Sequence, residues 1–200
     1  MPIHDWTRVH SDLFYTFHHS WISAIKSELN ARRLPRRYYA LAEWNGRKSR
    51  VGIRSEIDDS VVTMIDIVLP EEKASRESFK AFVDGVRALL NRRINLLILD
   101  PFPPTSLHHY GIHSAIWEQI EADVVFLSPA DKPLTLVAYE AGADIAAFIE
   151  PVAIGDILPN MPVILEPGGA VELLLEETYQ SAFAAYPLRW RTVLEAPEVR

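Results

Sequence analysis

The chain has no cysteine among its 200 residues. Disulfides, cysteine nucleophiles and thiolate metal sites are excluded, so any metal must be held by Asp, Glu, His or backbone oxygens. No apolar run approaches the roughly 18 residues that a membrane-spanning helix requires. The start, MPIHDWTR, has neither the basic opening nor the apolar core of a signal peptide, and a cytoplasmic location is the expectation. No GxSxG stretch offers a serine nucleophile, no HExxH pair offers a zinc site, and Gly168-Gly169 is too short for a phosphate-cradling loop. Nothing points to a nucleotide cofactor.

What is present has the balance of a globular protein. Hydrophobic residues make up 48% and charged residues 24%, enough for one substantial core, so a single domain over residues 1–200 is expected. The formal net charge of −7 speaks against an overall basic nucleic-acid binder. The charge is uneven, however. From Lys26 to Arg54 nine basic residues face only Glu28 and Glu43, whereas from Glu118 onward fourteen acids face four bases. Arg32, Arg33, Arg36, Arg37, Arg47 and Lys48 therefore form either a phosphate-contacting patch, with nucleic acid as partner, or a solvated surface around a loop.

Periodicity supplies the elements. Ser11 and Asp12 can cap a helix in which Leu13, Phe14, Phe17, Trp21, Ile22, Ile25 and Leu29 recur at spacings of three and four. YYALAEW, RVGIRSEI and VVTMIDIVLP, separated by turn signals at Asn45-Gly46 and Asp58-Asp59, read as an antiparallel meander. Ser75 opens a second helix with Phe79, Phe82, Val83, Val86, Leu89 and Leu90 on its buried stripe, and INLLILD follows as a strand. After PFPPTS come a short helix in YGIHSAIWEQIEA, strands in LTLVAYE, IAAFIEPVAIG and MPVILEP, and a mainly helical VELLLEETYQSAFAAY. The class is α+β, with residues 123–200 as a β-rich extension and terminal helix.

One residue conflicts with its surroundings. In MIDIVLPEEK the apolar run suits a strand covered on both faces, yet Asp66 sits in the middle, and burying an isolated carboxylate costs several kcal/mol or forces its neutralisation. Either a ligand or a partner is required. By itself Asp66 reads as a structural acid held by backbone N–H groups or by an arginine such as Arg54. His18 lies on the buried face of the first helix and reads as a core histidine, while His108 and His109, after the Pro-rich loop, are expected to be exposed.

The order helix, three-strand meander, helix, strand resembles the core of the PD-(D/E)XK, or restriction-endonuclease-like, superfamily. The stretches MPIHDWTRV, FHHSWISAIKSELN, YYALAE, VVTMIDIVLPEEKASR, LLILDPFPP, GIHSAIWE, DKPLTLVAYEAG, EPVAIGDILPNMP and LEETYQSAF make the chain similar to a bacterial family of unknown function related to Uma-type nuclease-like proteins. The resemblance implies phosphodiester hydrolysis with Mg²⁺ or Mn²⁺ held by carboxylates. Asp66 and Glu43 stand as metal and catalytic acids. Lys73 closes the family's loop after the strand and is the catalytic lysine favoured here, while Lys80 on the following helix lies where the related proteins carry their lysine, the group that orients the attacking water.

The chain also departs from that pattern. The family's Pro-Asp dipeptide and insert are missing where this chain has only WNGRKS, the central acid is shortened to Asp66, and Val68 replaces the expected lysine. Glu56 or Asp58 must substitute, or the site is dead. The expectation is a degenerate, non-catalytic member acting as a binding or oligomeric module, a homodimer included. The alternative is a Mg²⁺-dependent endonuclease with Glu43, Asp66 and Lys73 as its working residues.

Overall fold

The computed structural model describes residues 3–46, 48–121 and 126–196. Helix α1 (Ser11–Glu28) begins one residue earlier than its hydroxyl signal suggests. The His10 side chain, not that of Ser11, accepts from the Asp12 N–H, leaving Ser11 as the first helical residue. The apolar spacing places Phe14, Phe17, Trp21, Ile22 and Ile25 inward. The helix runs into a π-helical turn, Leu29–Arg33.

A six-stranded mixed sheet follows: β1 (Tyr38–Asn45), β2 (Lys48–Ser55), β3 (Val61–Ile67), β4 (Asn95–Asp100), β5 (Leu134–Ala141) and β6 (Ile145–Val152), in that spatial order. The β1–β2 and β2–β3 connections are hairpins, and Gly46 supplies the positive φ of the first (62°). Such a φ costs glycine nothing sterically. Strands β3 and β4 are parallel, which requires a crossover, supplied by α2 (Arg76–Asn91) with Ser75 as its N-cap. The open edge of β1 is partly closed by Asn30, whose amide donates to Ala40 O and accepts from Ala40 N. This protects an edge that would otherwise invite strand pairing.

Both faces of the central strands are buried. Ile65, Ile67, Leu97, Leu99, Leu136 and Ala138 pack with α1, with α4 (Leu175–Ala184) and with a hairpin of β7 (Met161–Glu166) and β8 (Gly169–Leu173). Met64, Val68, Leu96, Ile98, Val137 and Tyr139 pack with α2 and α3 (Gly111–Glu118). The two-sided cover explains the unbroken apolar runs of β3 and β4. The segment 123–200 is divided in role. Its first two strands extend the main sheet, while the hairpin, α4 and α5 (Leu188–Glu195) lie outside it. VEL, expected to open a helix, pairs with β7 instead. Among the described residues no helix is long and apolar enough to cross a membrane.

Candidate functional site

Asp66 is only 3% exposed, so its charge cannot be met by water. Two cations from β2 meet it. Lys48 and Arg50 are two residues apart and therefore share a face of the strand. The register that pairs Val51 with Ile65 continues to set Arg50 across from Asp66. Lys48 Nζ lies 2.5 Å from Asp66 Oδ1, and Arg50 Nε lies 2.7 Å from Oδ2. Arg50 Nε and Asp66 Oδ1 fall outside hydrogen-bond geometry, so these contacts are ion pairs.

The Lys48 ammonium has a second acid. It donates to Glu72 Oε1 and Oε2 at 2.7 and 2.8 Å and lies 4.9 Å from the centroid of the Phe82 ring. Glu72 is carried by a 3₁₀ turn, Pro70–Lys73, and its Oε2 also accepts from Leu69 N at 2.8 Å. Burial pushes the Glu72 carboxyl up from its ordinary value, Asp66 adds to the rise, and Lys48 opposes it. Two carboxylates thus share one ammonium, with Arg50 completing a neutral group of four charges. Buried charges require such pairing because desolvation of each ion costs several kcal/mol.

Lys73 turns inward from the same 3₁₀ turn. It is 4% exposed and donates to Asp100 Oδ2 at 2.8 Å and Phe102 O at 2.7 Å. Asp100 ends β4 on the face that carries Asp66, since Asp66 is aligned with Ile98 two residues earlier. Burial raises the Asp100 carboxyl above its usual range, and Lys73 opposes that rise. Both members of the pair are buried.

Glu43 shares the sheet face of Asp66, because it is registered with Arg50, but one strand further out. Its carboxylate points away from Asp66. Oε1 accepts from Arg54 Nε at 3.1 Å and Nη2 at 2.6 Å. It passes so close over Gly52 that a Cβ there would lie 2.5 Å from Oε1. Glycine at position 52 is what permits this path. Arg54, expected as a partner for Asp66, belongs to Glu43.

The three residues assigned catalytic roles therefore have separate sets of partners. Glu56 is exposed, and Asp58 binds the Ser60 N–H and hydroxyl in the β2–β3 turn, at the end of β3 away from Asp66. Lys80 pairs with Asp84 on the surface of α2. Among the described residues no group of three or more His, Asp or Glu side chains stands where it can hold a metal ion.

The described residues of the basic stretch are unequally engaged. Arg33 pairs with Glu28 at 3.0 Å, Arg37 with Glu166 at 2.5 Å, and Lys48 is drawn into the Asp66 group. Arg32 approaches Glu28 at 3.9 Å, Arg36 is exposed, and Arg47 lies outside the described residues. Of the histidines, His18 is fully buried, and both ring nitrogens lack a hydrogen-bond partner. Burial, with His19 and Lys48 nearby, lowers its pKa to about 3 against a small opposing pull from the Ser49 backbone. His109 is exposed as expected, whereas His108 is half-buried and stacks on Phe79.

Glu72 and the partnership of Lys48 with Asp66 were not legible from residue type. The available signal was the alternation KSR on β2, which sets Lys48 and Arg50 on one face. Compared with family models, with curated proteins and with solved structures, the chain shows no significant match.

Proposed function

We propose that this chain is a non-catalytic binding or oligomeric module built on a restriction-endonuclease-like α+β core. Support for the core comes from the order α1, the β1–β2–β3 meander, the crossover α2 and the parallel β4. Support for the loss of catalysis comes from one observation: the Lys48 ammonium occupies the space between Asp66 and Glu72 that a divalent cation would need.

Phosphodiester hydrolysis by such a core asks a hard cation to polarise the phosphoryl oxygen and generate hydroxide. Here the carboxylate charge is already neutralised inside the protein, and Glu43 and Lys73 are held by Arg54 and Asp100. A Mg²⁺ ion would have to displace Lys48, leave an ammonium buried without partners, and still find near-octahedral oxygen ligands at about 2.1 Å. The rival reading is a Mg²⁺- or Mn²⁺-dependent endonuclease using Glu43, Asp66 and Lys73. It requires that rearrangement.

The test is cleavage of mixed DNA and RNA substrates with Mn²⁺ by purified wild type, Asp66→Asn and Glu43→Gln. The proposal expects no metal-dependent cleavage above background in any of the three. Cleavage by wild type that both substitutions abolish would establish the nuclease.

A further inference from the structure

At the end of the sheet away from Asp66 lies a cleft of 550 Å³, within the range of small-molecule sites. Its walls include Arg92, Arg93, Ser60, Glu140 and Glu166, and its floor includes Asn95. The floor is fixed. Asn95 is 8% exposed, donates to Val62 O and Ile164 O at 3.2 Å each, and accepts from Ala141 N at 2.9 Å, tying β3, β7 and β5 together.

Arg93 has a φ of 59°. It closes helix α2 in the left-handed conformation, with Arg93 N donating to Leu90 O at 2.9 Å and Ile94 N to Leu89 O at 3.1 Å. Glycine fills this closing position at no steric cost, whereas a side chain with a Cβ is strained there. Complementing the helix dipole does not require it, since Arg92 already places a cation at the same terminus. Strain kept where glycine would relieve it points to a use for the side chain.

The charges in the cleft are unequally engaged. Glu166 is paired with Arg37 at 2.5 Å, and Glu140 accepts from Gly168 N at 3.1 Å. Arg92 and Arg93 are exposed and have no ion pair with any described residue. We propose that this cleft binds a small polyanion, a phosphate ester or a polycarboxylate, through the guanidinium groups of Arg92 and Arg93. Guanidinium suits such a ligand because its planar fork donates two parallel hydrogen bonds to phosphate or carboxylate and is weakly hydrated. The inference does not rest on the reading of Asp66, which lies at the other end of β3.

The experiment titrates pyrophosphate and citrate into the full chain, following heat of binding and melting temperature, with acetate as the monoanionic control. Wild type is expected to show saturable one-site binding of pyrophosphate, citrate or both; the arm that binds identifies the source, while acetate gives none. Arg92→Ala and Arg93→Gly should each weaken it about tenfold or more. Arg36→Ala, on the exposed basic turn, should leave it unchanged. Arg93→Gly should also melt about 2 to 4 °C higher through relief of the left-handed strain, so its loss of binding cannot be a folding defect. Absence of saturable binding in both arms, binding that survives Arg92→Ala and Arg93→Gly, or equal loss in Arg36→Ala would overturn the proposal.

Discussion

Lys48 Nζ stands 2.5 Å from Asp66 Oδ1 and within 2.8 Å of both Glu72 oxygens. A strand acid that would be intolerable alone is thereby made part of a neutral group, and the ammonium is the piece that joins β2, β3 and the turn before α2. Removing it should cost more than removing either acid's weaker partner. Lys48→Met leaves two buried carboxylates with only Arg50 and is expected to lose about 3 to 5 kcal/mol. Asp66→Asn leaves Lys48 its Glu72 and should lose less. Glu43→Gln breaks a half-exposed pair and should cost under about 1 kcal/mol. Urea melts that rank the three in another order would refute this division of roles.

The Lys73–Asp100 pair has a pH signature. Burial already pushes the Asp100 carboxyl up, and Lys73 is what opposes it. In Lys73→Met that opposition is gone, so the folded pKa rises further above the unfolded value of about 3.9. A group whose folded pKa is raised costs stability as pH climbs through that range, because the unfolded chain releases its proton first. The deficit of Lys73→Met against wild type should therefore be about 3 to 5 kcal/mol at pH 8 and smaller at pH 5. A deficit independent of pH would mean that Asp100 is not the group left unpaired.

Three buried histidines should set the acid limit of the fold. Burial lowers His4 and His113 to about 4 and His18 to about 3, against about 6.5 in the unfolded chain. Below pH 6.5 the unfolded chain takes up protons that the native state refuses, so stability is full above that pH and falls as pH drops toward 4. His4 and His113 contribute up to about 3 kcal/mol each to this loss. His18 differs from the other two, since His4 Nδ1 meets Tyr179 and His113 Nδ1 meets Tyr139, while the His18 nitrogens have no partner in hydrogen-bond geometry and feel only a weak pull from the Ser49 backbone. His18→Leu is expected to raise stability by about 1 kcal/mol at pH 7 and to flatten the acid slope. A destabilised variant would reveal a partner for the imidazole.

Local patterns were legible and pairings across strands were not. The three-and-four spacing from Phe14 to Ile25 marked α1, and the apolar run around Asp66 marked a strand covered twice. Which cation meets Asp66 depends on the β2–β3 register, and that register carries a shift between Ile53 and Arg54, a feature that residue type does not reveal. Lys73, directly after two acids in PEEK, has the sequence context of a solvated loop, yet the 3₁₀ turn rotates it toward the end of β4. VEL at the end of β8 precedes helical α4 and becomes a strand because β7 lies beside it, a case of tertiary pairing overriding local preference.

The most direct measurement is Mn²⁺ binding to the full chain, read from the spectrum of the free ion at millimolar concentration. Wild type is expected to hold no more Mn²⁺ than Asp66→Asn, because the ammonium of Lys48 already fills the place between Asp66 and Glu72. Lys48→Met is expected to gain a bound ion as those two acids are released. One ion held by wild type and lost in Asp66→Asn would contradict the view that Lys48 has taken the place of a metal.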